Sequence, residues 1–177
     1  RGAVGVTAVG GRSVEGGLRL VIEPIFEHRF AGHSYGFRAG RGCKDALRRV
    51  QALLDEGSTW IVDADLKSYF DTIPKDRLMC RVEERIADGR VLALLRSYLD
   101  QGVLEELTLH EPTERGTPQG AVISPLLANL YLDPLDHLLA DSGLQMVRYA
   151  DDFVILCRSE DEAKSALARV QTWVGEN

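Results

Sequence analysis

The stretch that most constrains how this chain can fold is LQMVRYADDFVILCR, residues 144–158. Two short runs, 146–149 and 153–157, read as strands, the second apolar and partly β-branched at Val154, Ile155 and Leu156. A tight turn over Ala150, Asp151 and Asp152 would place two carboxylates at the tip of a hairpin. Adjacent like charges at the edge of an apolar sheet repel, and burial raises their pKa values. A divalent cation shared between carboxylates cancels that repulsion. A solvated hairpin turn, where Asp is common anyway, is the plain alternative.

A second acidic strand precedes it. Residues 59–66, TWIVDADL, begin apolar and carry Asp63 and Asp65 two positions apart, hence on one face of a strand. Around these runs the periodicity is helical. Apolar positions Leu18, Val21, Ile22, Ile25, Phe26 and Phe30 make a stripe that Pro24 is expected to break. Residues 44–56 present Ala46, Leu47, Val50, Leu53 and Leu54 on one side. Pro74 suits the first turn of a helix over 75–87, and a second helix is expected over 91–99. Residues 103–110 fit a hairpin, and 116–120, GTPQG, a loop dominated by backbone. Ser124 and Pro125 open a long helix as N-cap and first residue, with Leu126, Leu127, Leu130, Tyr131, Leu135, Leu138 and Leu139 for burial. The last helix, 160–174, offers Ala163, Leu167, Val170 and Trp173. Residues 1–17 are Gly-rich and read as strand or loop. This order implies an α+β architecture, an antiparallel sheet with helices on one face.

Composition narrows the chemistry. The 177 residues carry 45% hydrophobic and 27% charged side chains, enough for one domain with a core or one domain with an attached lobe. No apolar run approaches the ~20 residues that cross a membrane, so none is expected as a partner. Cys43, Cys80 and Cys157 read as buried free thiols in a reducing, cytoplasmic compartment. The chain starts at Arg1 and reads as a piece of a longer protein. Its net charge is −6, yet residues 29–50 hold Arg29, Arg38, Arg41, Lys44, Arg48 and Arg49 against one acid, Asp45. A polymer-binding lobe beside an acidic reaction centre is one reading of that contrast, a solvated helix face the other.

If Asp65 and the Asp151-Asp152 hairpin meet in one sheet, three carboxylates converge. Such an oxygen-only donor set suits Mg²⁺, which keeps waters and leaves positions for substrate phosphates. Two such ions roughly 4 Å apart support in-line phosphoryl transfer. No nucleophilic triad, P-loop or GxGxxG spacing is present.

Tyr149-Ala150-Asp151-Asp152, the loop Gly116-Thr117-Pro118-Gln119-Gly120, residues 123–132 (ISPLLANLYL), residues 65–71 (DLKSYFD) and residues 35–38 (YGFR) together resemble a reverse transcriptase of the bacterial group II intron-encoded type. The resemblance covers the chain from about Leu18 onward. It implies a polymerase palm with a ferredoxin-like core plus partial fingers, divided softly near Gly57 and Ser58 into 1–57 (fingers) and 58–177 (palm). It implies RNA-directed DNA polymerisation: two Mg²⁺ ions, with Mn²⁺ as a substitute, and transfer from a dNTP to a primer 3′-OH on an RNA template, in the service of intron mobility and splicing. Asp65, Asp151 and Asp152 match the catalytic, metal-binding acids, with the Leu66 backbone carbonyl as a further ligand and Asp63 outside the first metal shell. Phe70 falls where the family keeps an aromatic ring under the incoming sugar, and Gln119 where it lines the nucleotide pocket. Arg38 and Arg41 are expected on template backbone or triphosphate, and Tyr149 at the primer end. The implied partners are RNA template, DNA or RNA primer, dNTP and intron RNA.

The chain departs from the family pattern at Ala3 to Thr7 and Gly10 to Ser13, and at Gly16-Gly17 where a helix is expected. The thumb and maturase regions are expected to lie outside this stretch of chain, and the fragment alone is expected to hold a duplex poorly. Retron, CRISPR-associated and diversity-generating reverse transcriptases are the alternatives within the family. A nucleotidyl cyclase and a polymerase-like module that only binds RNA are the alternatives outside it. The GTPQG loop with its Ser-Pro helix disfavours the cyclase, and the retained acids disfavour the binding module.

Overall fold

The computed structural model describes residues 9–66, 72–100, 104–105, 108–109 and 122–177. Among the described residues the chain forms helices α1 (Val9–Glu27), α2 (Cys43–Asp55), α3 (Lys75–Glu83), α4 (Gly89–Leu99), α5 (Ser124–Asp141) and α6 (Glu160–Glu176), with strands between them. The strands are β1 (Trp60–Asp65), β2 (Leu104–Glu105), β3 (Thr108–Leu109), β4 (Gln145–Tyr149) and β5 (Asp152–Cys157). They form two compact units, each built from two stretches of chain: Arg1–Arg29 with Ser68–Tyr131, and Phe30–Lys67 with Leu132–Asn177. The expected boundary near Gly57 falls inside the second of these, between α2 and β1.

Among its described residues the first unit is helical, with the short antiparallel β2–β3 pair. In α1, Glu15, Leu18, Ile22 and Phe26 are buried at spacings of three and four, one side of a helix. That helix starts well before Leu18 and runs through Pro24, against both expectations. Pro24 is exposed and removes a single intrahelical bond, a loss the buried stripe outweighs. Asp88 caps α4 by accepting from the Arg90 and Val91 N–H groups. Tyr98, at the other end of α4, lies 2.8 Å from the Ser124 hydroxyl, and burial pushes its own hydroxyl pKa well up. The hydroxyl expected only as a cap for α5 therefore also meets α4.

The second unit holds a three-stranded antiparallel sheet in the order β1-β5-β4. Helix α2 packs on it through Ala46 and Leu53 against Val147 and Leu156, joined by Tyr35, Val50, Leu54 and Val154. Helix α6 packs against β1 and β5 and buries Ala166, Val170 and Trp173, whereas Leu167 is exposed. Val170 and Trp173 are thus buried as expected, while Ala166 takes the buried place expected of Leu167. Leu138 of α5 is likewise at the surface, while Leu132, Leu135 and Leu139 are fully buried. Of the cysteines only Cys157, in the central strand, is buried; Cys43 and Cys80 are exposed, which corrects the expectation of three buried thiols. Among the described residues no helix is long and apolar enough to cross a membrane.

Candidate active site

The register of the sheet sets the site. Asp65 stands directly opposite Asp152 across the β1–β5 pair, and Tyr149 stands opposite Asp152 on the other side. Direct partners in an antiparallel pair project to the same face, and so do residues two apart in a strand. One face therefore carries Asp63, Asp65, Asp152 and Tyr149, with Val147, Val154 and Leu156 further along. The last three lie under α2. The acids at the hairpin end are left exposed, as is Tyr149, while Asp151 is half-buried. Desolvation raises the Asp152 pKa, and repulsion from Asp151, Asp65 and Asp63 raises it further.

The turn itself is two residues long, Ala150 and Asp151, between the paired Tyr149 and Asp152. Ala150 has φ +61°, and Asp151 is not among the positive-φ residues. That is the sign pattern of a type II′ hairpin turn, which matches the right-handed twist of the strands but normally takes glycine first.

Neighbouring chain holds this turn in place. The Tyr35 N–H donates to Arg148 O and the Arg148 N–H to His33 O, both at 2.9 Å, so residues 33–35 run beside β4 as a short parallel strap. Gly36, the next residue, lies so close to the turn that a Cβ there would overlap the Ala150 backbone nitrogen and sit 3.0 Å from its Cα. Behind the other face, the Arg148 guanidinium is wholly buried with Asp136 of α5: Nε donates to Oδ1 at 2.8 Å and Nη2 to Oδ2 at 2.5 Å. Its Nη1 donates to Ala150 O at 2.7 Å.

Arg148 and Gly36 lie within stretches the sequence singles out, but neither they nor Asp136 are given a role there. A signal was present: an arginine following the apolar strand residues Met146 and Val147, and an acid among the leucines of a helix, need each other once both are out of water. Arg38 and Arg41, the two expected basic site residues, make contacts within the strap. Arg38 is 7% exposed, donates to Ala31 O and Ser34 O at 2.8 Å, and stacks over Phe30. Arg41 donates to Gly32 O at 2.5 Å and lies over Tyr35. Both guanidinium groups brace the strap, because a loop of this kind leaves carbonyls that only nearby donors can satisfy. Phe70, Gln119 and the 116–120 loop lie outside the described residues.

The donor set fits hard divalent cations: oxygen ligands only, mutually repelling, on an exposed face. Among the described residues no three acidic, His or Cys side chains are yet drawn together closely enough to hold a metal ion.

An antiparallel sheet with an acidic two-residue hairpin, helices packed on it, defines a palm-type α+β domain. The family model for reverse transcriptase (RNA-dependent DNA polymerase) matches residues 1–177, and the chain belongs to that family. It is 37% identical over 155 residues to the "Uncharacterized 91 kDa protein in cob intron" of Schizosaccharomyces pombe, covering 88% of this chain and 17% of that one. It is 35% identical over 145 residues to the group II intron-encoded protein LtrA of Lactococcus lactis, covering 82% of this chain and 24% of that one. Among solved structures it resembles a chain of a "Partial Cas6-RT-Cas1--Cas2 complex", with TM-score 0.52, 28% identity, and coverage of 97% of this chain and 30% of that one. The chain thus spans less than a third of each of these proteins. Enzymes of the family work with divalent metal ions.

Proposed function

We propose that the protein to which this chain belongs is an RNA-directed DNA polymerase of the intron-encoded type, extending a primer 3′-OH on an RNA template with dNTPs. The observation that carries this reading is the register that sets Asp65 opposite Asp152 on one exposed face, with Asp151 next to it in the turn. Asp65, Asp151, Asp152 and the Leu66 carbonyl would hold two Mg²⁺ ions, with Mn²⁺ as a substitute. Bound there, such ions supply charge neutralisation for the attacking and leaving oxygens of the transfer. The chain's own contribution is to hold the carboxylates at fixed spacing on a rigid sheet and to keep the face free for substrate. Tyr149, beside Asp152, is placed to touch the primer end; Phe70 is assigned to the sugar and Gln119 to the nucleotide pocket. Asp63, opposite Val154 and one strand-step from Asp65, adds negative potential from outside the ligand set.

Intron mobility and splicing are the favoured setting, since two relatives carry intron names at 35% and 37% identity. The likeness at 28% identity to a chain of the Cas6-RT-Cas1 complex keeps a CRISPR-associated setting as the second reading. The test is primer extension by the full-length parent protein on an RNA template. Asp151→Asn is expected to abolish extension while RNA binding persists, since the variant keeps size and hydrogen bonding but loses the charge. A variant that still extends the primer rules out the assignment of Asp151.

A further inference from the structure

We propose that the buried Asp136–Arg148 pair is a positioning device for the catalytic hairpin, present to fix the direction of Asp151 and Asp152 rather than to stabilise the fold. This rests on the polymerase reading above.

Three observations carry it. The first is connectivity. Arg148 ties together α5 through Asp136, the strap through His33 O and the Tyr35 N–H, and the turn through Ala150 O. One side chain uses separate nitrogens for the carboxylate and the turn carbonyl, which the planar fork of arginine permits and a lysine ammonium does not. The second is the backbone it holds. Ala150 adopts φ +61° with a Cβ, a conformation that persists only where the surroundings over-determine it. The Ala150 carbonyl belongs to the peptide that leads into Asp151, so fixing that oxygen fixes the plane from which Asp151 departs, with Asp152 the next residue on. Gly36 closes from the strap on the preceding peptide, between Tyr149 and Ala150, so both peptides flanking Ala150 are held.

The third observation is burial. Both side chains are 0% exposed. Taking two charges out of water consumes most of what their attraction returns, and well-packed apolar replacements are often neutral or stabilising. A pair of this kind is weak as a stabiliser but strict about geometry. The groups facing it are Asp133 and His137 on α5 and His33 on the strap, so the pair also sits in a fixed set of charges and dipoles.

The experiment compares the full-length parent with the double variant Asp136→Leu/Arg148→Met and with Arg148→Lys. The double variant is expected to unfold at or above the parent's Tm and to bind primer–template equally well. Its kcat should fall by about 100-fold with KM for dNTP little changed, the scale expected when reacting groups are misplaced by an ångström. Arg148→Lys keeps a charge for Asp136 but cannot also span to Ala150 O, and should lose kcat without losing Tm. Hydrogen exchange at the Asp151 and Asp152 amides should quicken in both variants, independently of turnover. Parallel loss of Tm and kcat in both would mark the pair as merely structural and overturn the inference, as would a double variant with the parent's kcat. Should the parent itself extend no primer, the polymerase reading fails; the inference then stands or falls on whether hairpin exchange quickens.

Discussion

At the scale of single residues the site is a set of close approaches, and Gly36 is the tightest. Its missing Cβ is what lets the strap pass the turn. Gly36→Ala should therefore lower stability by about 1–3 kcal/mol, the range for overpacking, because the obstructing atoms are backbone and cannot rotate away. Thermal unfolding would show it, at roughly 2–4 °C per kcal/mol for a chain of this size. His33, three residues earlier in the strap, offers a pH test. Burial lowers its pKa from the usual 6.5, with Arg148 and His137 lowering it further against the opposing pull of Asp136. A histidine held neutral in the fold takes up its proton first in the unfolded chain. Its contribution is therefore fully present above pH 6.5 and is lost as pH falls through that value towards the lower, folded pKa. Comparing the parent and His33→Gln by Tm from about pH 7.5 to 5.5 should show a shallower acid-side loss in the variant. The opposite sign applies to Asp133, whose pKa burial raises, which is why the comparison needs the variant and not the parent alone. Of the residues in this site, the acids were legible in the sequence because turn chemistry and strand spacing are local. Arg148 and Gly36 were not, because their reasons for being there lie 12 positions away in Asp136 and over a hundred away in Ala150.

At the scale of elements, strands and amphipathic helices with clean periods came out within a few residues of expectation: β1, β4, β5, α2, α4 and the β2–β3 hairpin. Helix α1 did not. Gly16 and Gly17 lower helix propensity and Pro24 interrupts the backbone ladder, so local rules favour a loop and a break. Burial of Leu18, Ile22 and Phe26 decides otherwise, and tertiary packing overrides propensity. Glu15 joins them by accepting from the Val122 N–H at 3.0 Å, just ahead of α5. The conflict leaves room for improvement. Neither glycine has a positive φ, and a Cβ at either would meet nothing within 4 Å. Gly17→Ala, at an exposed helical position, should stabilise by about 0.4–1 kcal/mol, chiefly by restricting the unfolded chain. Urea unfolding would read this as a higher midpoint with an unchanged slope; a lower midpoint would mean that the helix does not form there.

At the scale of the whole molecule, the point hardest to see in the sequence is that neither compact unit is a continuous stretch of chain. Composition shifts near Gly57 and Ser58, from basic to acidic, and a boundary placed there separates α2 from β1. The contacts run the other way. Leu53 of α2 is 1% exposed against Val147 and Leu156, 94 and 103 positions further on, and the strap that braces the hairpin also precedes residue 57. A charge shift marks what solvent sees, whereas a domain is defined by shared apolar burial, and the two need not coincide. Consider, then, a fragment of residues 58–177. It retains Asp65, Asp151 and Asp152, the three acids assigned to catalysis, and the strands β1, β4 and β5 that carry them. What it loses is Ala46 and Leu53 over the sheet, the strap beside β4 and the Gly36 contact at the turn. Truncating one buried leucine to alanine costs about 2–5 kcal/mol, of the same order as the whole stability of a small domain. The fragment should keep helical circular dichroism, lose a sharp thermal transition and bind a hydrophobic dye, the signature of secondary structure without fixed packing. The chain 1–177 should unfold with one or two sharp transitions and leave the dye unbound. A fragment melting as sharply as the intact chain, at the same temperature, would show that the acidic half is self-sufficient and that the basic segment is only an appendage to it.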